Sequence, residues 1–220
     1  GLGGESDVRT TRSIFGDFDD DGDLDLYLAN ENSPDLFGWN QRQGRFETAE
    51  TSSNLNLPAG SRAVDAGDVD NDGLLDLVLV NKSKIPLKLL MNRGQGKFSN
   101  FEVSNADFKE INDADIRDVK FFDFDNDGYL DIILVGIPKN QGQSGIFLYH
   151  NTGDGKYENL SRILPDGAFG ANQISVFDYN EDGDSDLLLS GSKGEVFLFR
   201  NDGGNKNHYL NMKLVGLRTG

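Results

Sequence analysis

Asp123-Phe124-Asp125-Asn126-Asp127-Gly128-Tyr129-Leu130-Asp131-Ile132-Ile133-Leu134-Val135 joins an acidic loop to an apolar run of strand length, and the same pattern stands at three other places. The related loops are Asp17-Phe18-Asp19-Asp20-Asp21-Gly22-Asp23-Leu24-Asp25, Asp68-Val69-Asp70-Asn71-Asp72-Gly73-Leu74-Leu75-Asp76 and Asp178-Tyr179-Asn180-Glu181-Asp182-Gly183-Asp184-Ser185-Asp186. Oxygen ligands at positions 1, 3, 5 and 9 converge on one hard cation only if the chain turns sharply between them, and Gly at position 6 permits that turn. The spacing therefore predicts calcium loops, with up to four Ca2+ in the chain.

A helical EF-hand closes its site with a bidentate Glu at position 12 and has helices on both flanks. Here position 12 is Leu28, Leu79, Leu134 and Leu189, inside short apolar runs that read as strands. The expected ligands are accordingly the side chains of Asp17, Asp19, Asp21 and Asp25, of Asp68, Asp70, Asp72 and Asp76, of Asp123, Asp125, Asp127 and Asp131, and of Asp178, Asn180, Asp182 and Asp186. The position-7 carbonyls of Asp23, Leu74, Tyr129 and Asp184 complete each set. Asp, Asn and Gly also populate ordinary turns, but a turn needs one or two of them, and all these ligand side chains are Asp except Asn180. The fourth loop, one charge poorer, is expected to be the weakest.

First aspartates at 17, 68, 123 and 178 lie 51, 55 and 55 residues apart, close to the period of four-stranded propeller blades. The repeat continues beyond the loop: the next apolar strand ends in Asn (Asn40, Asn92, Asn151, Asn201), followed in three units by Gly, a basic residue and an aromatic (Gly44-Arg45-Phe46, Gly96-Lys97-Phe98, Gly155-Lys156-Tyr157). No segment reads as a helix. The expectation is an all-β protein, a β-propeller of four-stranded antiparallel blades, with repeats over 7–58, 59–112, 113–168 and 169–220 in one domain spanning 1–220. Large aromatics at matching strand positions (Phe37, Trp39, Phe147, Tyr149, Phe197, Phe199) suit packing between blades, leaving Tyr129, Phe169 and Tyr179 as binding candidates, although the recurrence of Phe18, Phe124 and Tyr179 at loop position 2 favours a structural role for Tyr179. The Gly- and Asn-rich insert from Pro138 to Gly145 is a candidate rim element.

These residues resemble the FG-GAP or VCBS-type propeller repeat of integrin α-subunit heads and bacterial surface proteins. The resemblance implies a calcium ion in the loop between the first two strands of each blade. The tail from Asn207 to Gly216 is similar to the start of an ASPIC/UnbV segment. Because related propellers more often have about seven blades, four repeats suggest a fragment, a compact ring, or a ring completed by a second copy or by further chain.

The net charge of −16 argues against nucleic acid as a partner, although four Ca2+ would halve it. No apolar run reaches membrane-spanning length. The chain has no cysteine, so disulfides do not mark a compartment; calcium loops without the bidentate Glu fit a calcium-rich space outside the cytosol, and the composition fits a secreted, periplasmic or surface protein of bacterial type. His150 reads as a satisfied strand histidine and His208 as surface. No nucleophile elbow, phosphate loop or zinc pattern is present. The expected function is therefore non-enzymatic, the binding of an unidentified protein or glycan ligand; the alternatives are a propeller polysaccharide lyase or related carbohydrate-active enzyme, and a purely architectural segment of a larger surface protein.

Overall fold

A computed structural model describes residues 7–49, 60–81, 87–101, 108–140, 145–165 and 170–202. Its strands form four antiparallel sheets in chain order. Blade one contains β1 (Thr10–Gly16), β2 (Asp25–Asn30), β3 (Leu36–Asn40) and β4 (Phe46–Ala49); blade two contains β5 (Ser61–Gly67), β6 (Asp76–Asn81), β7 (Leu87–Asn92) and β8 (Phe98–Phe101). Blade three contains β9 (Ala114–Phe122), β10 (Asp131–Pro138), β11 (Ile146–Asn151) and β12 (Tyr157–Asn159). Blade four shows β13 (Ala171–Phe177), β14 (Asp186–Gly191) and β15 (Val196–Phe199) among the described residues. The all-β propeller architecture expected from the repeat is present. The tail from 207 to 216, His208, Phe169 and the insert's residues 141–144 lie outside the described residues.

Sequence reading missed two short 3-10 turns, Lys109–Asp113 and Ser161–Ile163. Neither carries the apolar periodicity of a longer helix, and each is a single tight turn of chain beside a strand. Ile111 of the first is nevertheless buried in the core.

The first strands touch in the order β1, β5, β9, β13. The second strands of the middle blades, β6 over its whole length and β10 from Asp131 to Gly136, are buried because blades cover them from both sides. In β6, Leu77 and Leu79 join a core with Tyr27 and Phe37 of blade one, whereas Val78 and Val80 join a core with Ile132 and Leu134 of blade three. Ile133 and Val135 then pack with Leu187 and Leu189 of blade four. The expected aromatic wedge is realised: Phe37 stacks on Trp39 with centroids 4.8 Å apart, and Trp39 lies over Gly96 of the next blade.

Candidate metal centre

Every acidic loop runs from a first strand into a second, and the four have one hydrogen-bond pattern. The position-1 carboxylate accepts from the amides of positions 5 and 6, as in Asp21 N to Asp17 Oδ1 at 3.0 Å and Gly22 N to Asp17 Oδ2 at 2.9 Å. Asp68, Asp123 and Asp178 do the same. The position-5 carboxylate accepts from the amide of position 7, at 2.8 to 3.0 Å in the four loops. The backbone is left-handed at position 4 (Asp20, Asn71, Asn126, Glu181) and again at the position-6 glycines, with φ of 88 to 90°. The glycines are therefore required by conformation.

Position 9 has a second job that sequence reading did not anticipate. Asp76 is fully buried; its Oδ2 accepts from Val69 N at 3.0 Å and its Oδ1 from Asn92 N at 2.8 Å. Asp25, Asp131 and Asp186 repeat both bonds with Phe18 and Asn40, Phe124 and Asn151, and Tyr179 and Asn201. This carboxylate staples the loop to the third strand. It retains lone pairs for a further contact, since a carboxylate can accept about four. Burial pushes the Asp76 and Asp131 carboxyls up to about 6 despite the amides that oppose the shift.

Carboxylate oxygens approach one another closely enough to share a cation in three loops: Asp17, Asp19 and Asp25; Asp68, Asp70 and Asp76; and Asp123, Asp125 and Asp127. Asp19 Oδ1 is buried and has no hydrogen-bond partner. Burial and then the negative charges of Asp25, Asp21 and Asp17 raise the Asp19 carboxyl, while burial and then Asp72 raise Asp70. A hard cation suits this set: it would satisfy the orphaned oxygen and relieve both the desolvation and the repulsion.

The fourth loop shares the backbone but not the convergence. Asn180 Nδ2 donates to Asp182 Oδ2 at 2.6 Å, and the Asp184 side chain accepts from Asn126 of the preceding blade at 2.8 Å. No convergent group of three acidic residues forms there among the described residues. Conversely, His150 joins Asp125 and Asp131 in a possible ligand set, its Nδ1 lying 3.0 Å from Asp131 Oδ1, with Phe124 edge-on to the ring. His150 is thus the partnered strand histidine expected, placed beside the third loop by strand pairing that the local sequence does not reveal.

Of the aromatic binding candidates, Tyr179 is exposed and Tyr129 packs against Gly153. A cleft of about 180 Å³ between blades two and three is lined by Asp70, Arg93, Met91 and Tyr157. The arginines near the loops pair with carboxylates of their own blades, Arg42 with Asp23, Arg93 with Asp70 and Arg200 with Asp202. No helix among the described residues is long and apolar enough to cross a membrane.

The profile of FG-GAP-like repeats matches residues 17–79, 68–134 and 123–189. Cartilage acidic protein 1 is 27% identical in Mus musculus and 28% in Homo sapiens, each over 196 residues that cover 84% of this chain. The chain spans only about 30% of the length of these relatives. Their vertebrate origin gives no support to the bacterial source expected from composition. Among solved structures, an Agrocybe aegerita lectin that recognises non-reducing terminal N-acetylglucosamine matches with a TM-score of 0.60 and 19% identity, over 90% of this chain and 51% of the lectin. That likeness is one of fold.

Proposed function

Since the chain belongs to the FG-GAP-like repeat family, we propose that it is a non-enzymatic, calcium-stabilised propeller module that binds a glycan or protein ligand outside the cytosol. One observation carries the calcium reading: Asp19 Oδ1 is buried and unpartnered where Asp17, Asp19 and Asp25 converge, and two further loops repeat the convergence. The side chains at positions 1, 3, 5 and 9 and the position-7 carbonyls would hold the ion. The ion would neutralise like charges that otherwise repel within each loop. Its role is structural, because folding and binding are linked wherever the site exists only in the native state. The first three loops are the strong sites and the fourth the weak one.

The glycan reading draws on the lectin as a propeller neighbour and on the cleft between blades two and three, where an aromatic, a methionine and a paired Asp70 and Arg93 stand together. This mixture of apolar surface and a few polar groups is the ordinary composition of a ligand site. An acidic-sugar lyase would need free basic groups beside the metal, and the arginines by the loops are paired instead.

Calorimetric titration of the metal-free chain with calcium, followed by a glycan array probed with the calcium-loaded protein, tests both halves. Three tight sites and saturable binding to terminal N-acetylglucosamine or another sugar are expected. No calcium uptake would overturn the metal reading, and a blank array would leave protein as the ligand class.

A further inference from the structure

Charge is divided unevenly between the two ends of the blades. The four acidic loops hold more than half of the 37 acidic residues and none of the 21 lysines and arginines, so the rest of the chain carries a small positive charge. Each loop follows the end of a first strand, β1, β5, β9 or β13. The starts of these strands stand about 20 Å from the loops, and there basic side chains of different blades meet.

One backbone feature brings them together. Each first strand has a β-bulge at the same register position, where pairing with the second strand skips Thr11, Arg62, Arg117 and Asn172. A bulge frees the extra residue from the ladder and re-aims its side chain. In blades two and three that residue is arginine, and the two converge on one carboxylate. Arg62 Nη1 donates to Asp115 Oδ1, and Arg117 Nη2 to Asp115 Oδ2 at 2.5 Å. Thr11 Oγ1 of blade one lies 2.8 Å from Ser61 O, beside Arg62. A third guanidinium, Arg12, has its one hydrogen bond among the described residues to Thr11 O, at 3.1 Å. Burial raises the Asp118 carboxyl, and after the Ile174 amide the charge of Arg12 opposes that rise, so Arg12 of blade one reaches toward blade three.

Asp115 is a poor match for the groups that hold it. Each guanidinium gives it one N–H, so neither uses the two-bond fork with which arginine binds an oxyanion best. Arg117 Nε is buried and has no hydrogen-bond partner. The Asp115 side chain is 39% exposed and can turn to solvent without stranding a buried charge. Asp118, by contrast, is buried and committed to the amides of Ile174 and Val119.

We infer that Arg62 and Arg117, with Arg12 beside them, form a binding site for a tetrahedral oxyanion, a sulfate or phosphate group, and that Asp115 is the internal anion which the ligand displaces. The ligand oxygens take the fork of Arg117, Nε together with Nη2, and the Nη1 of Arg62. A free inorganic anion and a sulfate ester on a glycan present the same group. No residue of the acidic loops or of the cleft between blades two and three takes part, so the site is independent of calcium uptake and of sugar binding in that cleft.

Calorimetric titration of the calcium-loaded chain with sodium sulfate, at a constant ionic strength of about 0.15 M in chloride, tests the site. One sulfate per chain is expected, with a Kd of about 1 mM or below. Arg62→Ala and Arg117→Ala should each weaken it by about ten-fold or more, the loss of one charge-assisted contact. Arg117→Lys should weaken it as well, because the charge stays and the fork is lost. Asp115→Asn should tighten it by about ten-fold, since the competing anion is gone. N-acetylglucosamine 6-sulfate, titrated beside the unsulfated sugar, separates the two sources: binding tighter than sulfate alone and sensitive to Arg117→Ala assigns the group to a glycan, and binding no tighter than sulfate assigns it to the free anion. The three altered side chains are each at least 21% exposed, so folding is retained, and a calcium-loaded melt checks this. No sulfate uptake by the wild type overturns the inference, as does a site that Asp115→Asn weakens, that survives loss of both Arg62 and Arg117, or that Arg93→Ala abolishes.

Discussion

The first and fourth acidic loops have the same backbone and almost the same sequence pattern, yet only the first gathers its carboxylates. In both, the position-1 Asp binds two loop amides and the position-9 Asp binds two more. They differ at position 3, where Asp19 leaves a buried oxygen without a partner and Asn180 donates to Asp182 instead. The motif therefore contains two separable functions. Positions 1 and 9 shape the loop, and position 3 with its neighbours supplies the oxygen on which the proposed cation site depends.

If this division is right, metal removal has the largest effect. Three sites at calcium 100-fold above Kd are together worth about 8 kcal/mol, so EDTA should lower the Tm of the calcium-loaded chain by more than about 10 °C. A melt unchanged by EDTA would erase the distinction between the loops. Next in size, Asp131→Ala and Asp186→Ala should each cost about 2–4 kcal/mol in metal-free protein, because each strands two backbone donors. Denaturant unfolding checks this; a loss confined to the third blade would contradict a staple common to all loops.

The pH dependence sharpens the comparison further. Asp76 and Asp131 have carboxyls near about 6 in the fold against 3.8 in an unfolded chain. Without metal, the stability they contribute is complete below about pH 4 and is lost as pH rises through about 6. With calcium the opposite trend is superimposed, since the ligands must lose protons to bind. Melts with calcium and with EDTA should therefore diverge as pH rises from 4 to 7, and parallel curves would refute the assignment of these carboxylates to the metal sites. The smallest expected change is a gain: Asn180→Asp restores the missing oxygen and should tighten the weak fourth site enough to raise the calorimetric stoichiometry of tight sites from three to four. An unaltered stoichiometry would place the fourth loop's deficit elsewhere, with Asp184 the first suspect because Asn126 draws its side chain away.

Much of this was legible from residue order because the relevant physics is local. Gly22, Gly73, Gly128 and Gly183 announce the turns, and the apolar runs after Asp25, Asp76, Asp131 and Asp186 announce the second strand of each blade. The asparagines ending the third strands were visible as a repeat without a function. Their partners lie 74 to 82 residues away in the chain, and no local pattern identifies a carbonyl across a blade interface. His150 belongs to the same class, since pairing of β10 with β11 is what carries it to Asp131.

Sequence by itself determined the repeat and its blade, from intervals of 51 to 55 residues between like aspartates, and the oxygen-rich loop, from spacings within nine residues. Tertiary structure alone decided which carboxylates are consumed as staples, which buried oxygen is left without a partner, and which apolar faces remain open. The physical reason is that hydrogen-bond satisfaction and burial belong to neighbours in space, and the neighbours that matter here are contributed by the next blade.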